Sequence, residues 1–454
     1  MGPDVQNGYM KTLARHIIRA ALLSAAALVP AAAMAQQSED IVADAQQNDT
    51  IIAIPAFATD ADRPTDAYST ADLGRRIAAV ITADLRNNGL FTPRGPDQVR
   101  SIGYNEVTAP QFPGWRNINA EVLVQGFVRA ANPNEITVGC YLYDVGLGSE
   151  LSRQGYVVPA RDWRRAAHKC SDIIYSRLTG EQPFFDSRIA YIAESGPKNN
   201  RRKQLAVMDS DGANHRILTS GGATALTPRF SPNYQSILYL SYVDGNPRIY
   251  IYDIGSGKQR LVTQSSNATF APRWSPDGRT ILYSMAVNGN TDVYKISADG
   301  GTPVRLTTAP GIDVGGSFSP DGKQIVFESD RSGSQQIYVM NADGSNQRRI
   351  SFGSGRYATP EWSPRGDLIA FTKIAGNLRI GVIRPDGSGE RLLTDSWQDE
   401  APTWAPNGRV IQFFRTAQGS GDASIWQVDV AGANERKLPT PGSGSDPAWG
   451  PIRP

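Results

Sequence analysis

The stretch Trp274-Ser275-Pro276-Asp277-Gly278 decides the fold, because close copies of it recur along the last two-thirds of the chain. Pro presets φ at the second position of a turn and Gly relieves crowding at the fourth, so Ser-Pro-Asp-Gly forms a tight β-turn. The copies open with aromatic residues spaced 42 to 45 positions apart: Phe230, Trp274, Phe318, Trp362, Trp404 and Trp449. A period in the low forties, with strand-rich sequence between the turns, is typical of a β-propeller blade.

The two ends of the repeat predict the number of blades. Five units are complete, whereas the unit that opens at Trp449 has only its first strand before Pro454. Three strand-like runs upstream, at 188–192, 204–208 and 215–219, supply the strands that this unit lacks. We therefore predict an all-β, six-bladed propeller of WD40-like (PD40) repeats over 188–454. Its last blade combines both ends of the repeat, which removes the open sheet edge.

The region before the repeats mixes helix and strand patterns, and predicts an α/β domain over 51–180. Residues 50–57 form a buried-type strand, and residues 70–88 have apolar side chains at helical spacing. Runs at 122–128 and 136–143 predict a strand pair, and 162–178 predicts a second helix that ends near Gly180. Residues 181–187 are interpreted as a linker.

The N-terminus has the pattern of a secretory signal peptide over residues 1–35. Lys11, Arg15 and Arg19 precede an uncharged apolar run, and Ala33-Met34-Ala35 forms a small-residue cleavage pattern before Gln36. The start codon is Met1 or Met10. The apolar run is too short for a membrane span, and no other segment of the sequence is long enough. We expect an exported, periplasmic protein with no transmembrane segment after cleavage near Ala35.

Composition and motifs argue against several functions. The chain has 46 Lys and Arg and 44 Asp and Glu, of which residues 1–35 hold three and one, so the mature chain is balanced. A nucleic-acid partner would require a concentrated basic face. His168 and His215 stand alone, and no nucleophile elbow or paired metal-ligand spacing occurs. We therefore expect no catalytic residue, metal or cofactor. A glycan- or metal-binding propeller and a peptidase-type propeller without its catalytic domain stay as alternatives.

Two cysteines lie in the predicted α/β domain. Cys140 shares a strand face with Val138 and Leu142, and Cys170 lies on the core-facing side of the second helix. An oxidising compartment would allow a disulfide between them. Two buried free thiols are an equal alternative, because the sequence does not give the distance between the two residues.

The domain order and several short motifs resemble the TolB family of the periplasmic Tol–Pal system, over essentially the whole mature chain. The motifs are Ala83-Asp84-Leu85-Arg86-Asn87, Leu178-Thr179-Gly180, Arg188-Ile189-Ala190-Tyr191, Asp399-Glu400-Ala401-Pro402 and Pro447-Ala448-Trp449. The resemblance implies a monomeric, non-enzymatic scaffold that binds the lipoprotein Pal at one propeller mouth and the inner-membrane protein TolA through its N-terminal segment. It also implies a role in outer-membrane invagination at division, and use of the same mouth by some bacteriocins.

Propeller geometry and the resemblance together suggest the partner-binding residues. The link from each fourth strand to the next first strand reaches one mouth of the tunnel, just before the repeated aromatic residue. The candidates for Pal binding are Leu226, Phe270, Val314, Tyr357, Ala358, Asp399 and Glu400. Family members can carry a His where this chain has Ala268-Thr269-Phe270. For TolA binding, the segment 36–50 aligns by position, and the candidates are Ile41, Val42 and Asp44; a disordered tail is the alternative.

Overall fold

The first domain is a five-stranded sheet with two long helices. The computed structural model of the protein describes residues 50–243 and 245–454. The strand order is β2-β1-β3-β4-β5, with β1 parallel to both of its neighbours and the last three strands antiparallel. The strands are β1 (Thr50–Ala53), β2 (Phe91–Arg94), β3 (Val122–Asn132), β4 (Glu135–Asp144) and β5 (Ser149–Pro159). The helices are α1 (Thr70–Asn87), α2 (Phe112–Arg116) and α3 (Trp163–Thr179), with 3₁₀ turns at Tyr104–Glu106 and Ala160–Asp162; a further 3₁₀ turn, Lys198–Asn200, lies in the propeller.

The two long helices follow their apolar spacing and their caps. In α1, Leu73, Ile77, Ile81 and Leu85 are all fully buried, and the side chain of Ser69 accepts a hydrogen bond from the N–H of Asp72. Helix α3 ends at Gly180, whose φ of 72° is the left-handed conformation that glycine adopts without strain. Within the described ranges, no helix is long and apolar enough to cross a membrane.

The first strand is shorter than the buried-type run over 50–57 suggests. Strand β1 ends at Ala53, since Pro55 has no N–H to donate to a neighbouring strand. Beyond Ala53, the N–H of Ile54 donates to Arg94 of β2 at 2.9 Å, and an isolated bridge joins Ala58 to Phe127. The sequence does not predict strand β5, because only Val158 of its eleven residues is buried and the apolar residues therefore show no alternation there.

Within the described residues, six four-stranded antiparallel sheets follow, which confirms the predicted six-bladed propeller. Blade 1 is β9 (Ala225–Phe230), β10 (Ser236–Ser241), β11 (Arg248–Asp253) and β12 (Gln259–Leu261). Blade 2 is β13 (Thr269–Trp274), β14 (Thr280–Val287), β15 (Asn290–Ser297) and β16 (Val304–Arg305). Blade 3 is β17 (Asp313–Phe318), β18 (Gln324–Ser329), β19 (Gln336–Asn341) and β20 (Arg348–Arg349).

Blade 4 is β21 (Arg356–Trp362), β22 (Ile369–Ala375), β23 (Asn377–Ile383) and β24 (Arg391–Leu392). Blade 5 is β25 (Asp399–Trp404), β26 (Val410–Thr416), β27 (Ala423–Asp429) and β28 (Arg436–Lys437). Blade 6 joins β29 (Ser443–Ile452) to β6 (Ser187–Ser195), β7 (Arg202–Asp209) and β8 (Arg216–Ile217). The antiparallel pairing of β29 with β6 closes the ring as the sequence predicted.

Each first strand lines the tunnel and carries a bulge at the same place. The bulge residues Thr227, Ala271, Thr359, Ala401 and Asp446 have φ between 45° and 53°, and glycines occupy this place in blade 3. The bulge frees a backbone N–H, and a side chain of the preceding blade accepts it. Thr359 donates to Glu328 at 2.7 Å, and Gly315 donates to Ser284 at 3.1 Å. Neighbouring blades are therefore tied together by hydrogen bonds at the tunnel wall.

Residues 181–187 contact both domains. Asp172 of α3 accepts the N–H groups of Phe184, Phe185 and Asp186 at 2.7 to 3.0 Å. Glu181 forms ion pairs with Arg365 at 2.6 Å and with Arg409. The segment interpreted as a linker is thus held on both sides, and residues 50–454 form one compact unit.

Candidate functional site at the open mouth of the propeller

The propeller has two faces, and the first domain occupies one of them. We call the face with the Ser-Pro turns the turn face, and the opposite face, where fourth strands link to the next first strands, the mouth face. On the turn face, Asn407 donates to the hydroxyl of Tyr175 at 3.3 Å, and Arg409 donates to Glu181 at 3.0 Å. Among the described residues, the first domain does not cover the mouth face, so that face is the candidate surface for a partner.

Five of the predicted Pal-binding residues lie at equivalent positions around the tunnel mouth. Each stands one residue before the bulge of its first strand, and each is half-buried. They are Leu226, Phe270, Val314, Ala358 and Glu400. All five lie on the innermost strand of their blade, and Leu226 and Phe270 also pack against the apolar cluster between blades 1 and 2.

The other two predicted contacts, Tyr357 and Asp399, are fully buried and are not available to a partner. Asp399 accepts two hydrogen bonds from Arg415, at 2.7 and 2.9 Å. The hydroxyl of Tyr357 donates to Glu390 at 2.7 Å and accepts from Lys373 at 2.6 Å. Adjacent strand residues face opposite sides of a sheet, so the neighbours of tunnel-facing residues point into the blade packing.

Leu226 and Glu400 come together in one pocket of about 390 Å³ at the mouth. The pocket is also lined by Phe414, and by Asp446 at the bulge of β29. Glu194 lies at its edge, where Lys203 pairs with it at 2.8 Å and Ser445 donates to it at 2.7 Å. Burial raises the pKa of Asp446 from its ordinary value. The pocket combines an apolar wall with carboxyl groups.

The sequence reasoning missed the exposed apolar residues of the mouth face. Ile312, Phe352 and Trp397 lie in the links that lead into blades 3, 4 and 5, and they are 46 %, 72 % and 49 % exposed. Apolar residues exposed singly are common on protein surfaces, so what distinguishes these three is that they lie on links of the same face of the propeller. The sequence pattern that could indicate them is a single large apolar residue within a link rich in Gly, Ser, Asp and Gln, such as Ser351-Phe352-Gly353-Ser354-Gly355.

An ion-pair cluster spans the tunnel below the mouth. Arg229, Arg273 and Glu361 occupy the same position of their first strands, two residues after the bulge. Atom Oε2 of Glu361 lies 3.7 Å from Nη2 of Arg229 and 3.5 Å from Nη2 of Arg273. Because blades 1 and 4 stand opposite each other in a six-bladed ring, the Arg229–Glu361 pair crosses the tunnel axis.

One group of described residues has metal-ligand types at close range, where α1 and α3 meet blade 6. Nδ1 of His168 lies 2.9 Å from Asp84, and its Nε2 lies 3.8 Å from Asp211. Burial alone would lower the pKa of His168, but the charges of Asp84 and Asp211 outweigh it and raise the pKa to about 9. The imidazole uses opposite nitrogens for the two carboxylates, and Arg164 also pairs with Asp211. Asp84, His168, Asp211 and Arg164 therefore form a buried network of ion pairs between the first domain and blade 6.

The two cysteines are joined in the structure. Cys140 of β4 and Cys170 of α3 form a disulfide, with their Cα atoms 6.1 Å apart. The bond fastens the second long helix to β4, the neighbour of the edge strand β5. The predicted TolA-binding residues Ile41, Val42 and Asp44, and the predicted signal peptide, lie outside the described residues.

Comparison with known proteins supports the same two-domain organisation over most of the chain. Residues 175–453 match the TolB beta propeller domain, and residues 40–151 match the TolB amino-terminal domain. The chain is 70 % identical to Tol-Pal system protein TolB 1 of Novosphingobium aromaticivorans, over 95 % of this chain and 99 % of that protein. It is 66 % identical to Tol-Pal system protein TolB of Zymomonas mobilis, over 89 % and 88 %. The crystal structure of TolB from Acinetobacter baumannii superposes with a TM-score of 0.78 at 27 % identity, and covers 90 % of this chain and 98 % of that one.

Proposed function

The chain belongs to the TolB family of Tol–Pal system proteins, and on that premise we propose that its mouth face binds the lipoprotein Pal. In this proposal the protein is a monomeric periplasmic scaffold, exported by a cleaved signal peptide, and its role is binding rather than catalysis. It links Pal to TolA for outer-membrane invagination at division and for outer-membrane integrity.

The observation that carries the proposal is the placement of Ile312, Phe352 and Trp397. All three are exposed on links of one face, and the first domain lies on the other face. Aromatic and large aliphatic anchors supply most of the binding energy of protein interfaces, and polar residues surround them. Arg349 stacks its guanidinium over the ring of Phe352, 5.2 Å from the centroid, and so holds the ring in place.

The ring of tunnel-mouth residues forms the floor of the proposed interface. Leu226 and Glu400 supply an apolar wall and a carboxylate in the same pocket, so a partner side chain with an apolar stem and a polar end suits it. Phe270 stands in this ring beside the link where family members can carry a His. If that His contributes to Pal recognition in the family, the contact at blade 2 differs in this chain. A bacteriocin that mimics Pal would use the same surface.

For TolA we propose the segment 36–50. Ile41 and Val42 can add to a sheet edge as a short β-strand, with Asp44 as a polar contact. In our hypothesis the segment is docked in one state and free in another, and Pal shifts the balance because it binds the two states with different affinity.

The test is calorimetric titration of the mature protein with the periplasmic domain of Pal from the same organism. Phe352→Ala and Trp397→Ala should each weaken Pal binding about 30-fold, the cost of a hot-spot residue of about 2 kcal/mol. The matched control is Leu147→Ala, which removes an apolar side chain that is 80 % exposed in the first domain. Absence of Pal binding by the unmodified protein would refute the proposed function. Binding that tolerates both substitutions would move the interface away from the mouth face.

The TolA arm uses the same method. Deletion of residues 36–46 should abolish binding of TolA and leave Pal binding measurable. An unchanged TolA affinity would refute the role proposed for this segment.

A further inference from the structure

We propose that a cavity between blades 6 and 1 binds one uncharged sugar unit of a glycan chain. The cavity has a volume of about 410 Å³, within the range of about 300–1,000 Å³ that is usual for ligand sites. It shares no lining residue with the mouth pocket that contains Leu226 and Glu400. The site is therefore separate from that pocket, and the proposal does not depend on the binding of Pal.

Small residues in the link from β8 to β9 leave the cavity open. The link contains Ser220-Gly221-Gly222-Ala223, whereas the links into blades 4 and 5 contain Phe352 and Trp397. A Cβ atom on Gly222 would meet only Oγ of Ser220, at 3.9 Å, so the space beside this residue is empty of protein. Gly221 differs, because its φ is 78° and a Cβ atom there would lie 2.8 Å from the side chains of Arg202 and Gln204.

The lining of the cavity is polar but carries no charge among the described residues. Six of its side chains have hydroxyl or amide groups: Thr219, Ser220, Tyr239, Ser241, Tyr252 and Gln259. Such groups both donate and accept hydrogen bonds, as sugar hydroxyls require. An ionic ligand would find no opposite charge, and a purely apolar ligand would leave the polar groups unpaired. Leu218 and Val243 supply an apolar surface for the C–H groups of a sugar ring.

Two of the lining hydroxyl groups are available to a ligand. Ser241 and Tyr252 are 3 % and 9 % exposed, and within the described ranges neither hydroxyl has a hydrogen-bond partner. Buried polar groups of proteins are nearly always paired, so these two point to a ligand in the cavity. The hydroxyl of Tyr239 donates to Oε1 of Gln259, which leaves the amide N–H groups of Gln259 as further donors.

The first experiment measures sugar binding to the unmodified mature protein by saturation-transfer difference NMR, which observes the ligand. The probes are two uncharged trisaccharides, triacetylchitotriose and maltotriose. At least one of them should show saturable transfer from the protein. Absence of transfer to both would overturn the proposal.

The second experiment fills the cavity. Gly222→Tyr should weaken sugar binding about tenfold or more, because the added ring would clash with the ligand. The matched control is Gly155→Tyr on the edge strand β5, where a Cβ atom would meet nothing within 4 Å. That variant should bind the sugar as the unmodified protein does. Equal affinities in the two variants would overturn the proposed site.

The third experiment removes one hydroxyl group. Tyr252→Phe should weaken sugar binding roughly fivefold, the usual effect of one lost hydrogen bond. Tyr338→Phe is the control, since Tyr338 of blade 3 is 7 % exposed and lies outside the cavity. An unchanged affinity for Tyr252→Phe, with Gly222→Tyr also inactive as a block, would overturn the assignment.

A titration with Pal separates this site from the proposed function. Gly222→Tyr should leave Pal affinity unchanged. Weakened Pal binding in this variant, together with no sugar binding by the unmodified protein, would overturn the proposal and assign the cavity to the protein partner. Sugar binding by a protein that does not bind Pal would refute the proposed function and support the sugar site.

Discussion

Substitution of Asp399 tests whether this residue stabilises blade 5 or contacts a partner. Asp399 is fully buried and accepts two charge-assisted hydrogen bonds from Arg415. Breaking a buried ion pair typically costs about 3–5 kcal/mol. Arg415 keeps a second partner in Glu435 at 2.7 Å and is 19 % exposed, so the loss should lie at the lower end. We expect Asp399→Ala to cost about 3 kcal/mol, or roughly 3–4 °C in melting temperature for a unit of about 400 residues.

The assay is thermal unfolding followed by calorimetry, together with Pal titration of the folded protein. Asp399→Asn, which keeps the shape and one acceptor, should lose about half as much stability. Asp299→Ala removes an exposed turn carboxylate and should change stability by less than about 0.5 kcal/mol. A loss below about 1 kcal/mol for Asp399→Ala would refute the reasoning. So would an unchanged melting temperature with weakened Pal binding, because that result would make Asp399 a contact residue.

Two further predictions concern stability. Replacement of Cys140 and Cys170 by Ala should cost about 3 kcal/mol, since the disulfide closes a loop with a sequence separation of 30. The variant should melt at the same temperature as the reduced, unmodified protein, which shows that the loss comes from the disulfide. A loss below about 1 kcal/mol would contradict the prediction. Burial raises the pKa of Glu328 to about 7. The folded state then binds more protons than the unfolded state between about pH 4.5 and 7, so this residue costs stability as pH rises through that range. Glu328→Gln should therefore stabilise the protein at pH 8 by up to about 3 kcal/mol and have little effect at pH 4, and equal effects at the two pH values in a denaturant titration would contradict the assignment.

The repeat was predictable because every blade uses the same local turn chemistry. A Ser-Pro turn, a β-branched strand and a second turn are short-range features, and their spacing gave the six blades and the closure of β29 on β6. The long helices were predictable for the same reason, since apolar spacing and caps lie within a few residues of each other.

The site was harder to predict, because it depends on distances between residues far apart in sequence. Asp399 and Glu400 are adjacent in β25 and point to opposite sides of the sheet, but the sequence does not say which of them is buried in the blade. No pattern around His168 indicates that Asp84 and Asp211 will flank it. Phe352 and Trp397 have no aromatic counterparts at the equivalent positions of the other links, so the repeat pattern does not point to them.

The tunnel cluster restricts how a partner at the mouth can influence the first domain. The Arg229–Glu361 pair crosses the axis, so a segment cannot pass through the tunnel without breaking it. The remaining route runs along the strands. In blade 5, strand β25 has Glu400 at the mouth, and the turn that follows it carries Arg409, which binds Glu181 on the turn face. Strands β25 and β26 are paired along most of their length and should move as a unit. Coupling between Pal and the first domain should therefore depend on the Arg409–Glu181 pair. Arg409→Gln should then reduce the effect of Pal on TolA binding while leaving Pal affinity itself unchanged, and a full effect in that variant would exclude this route.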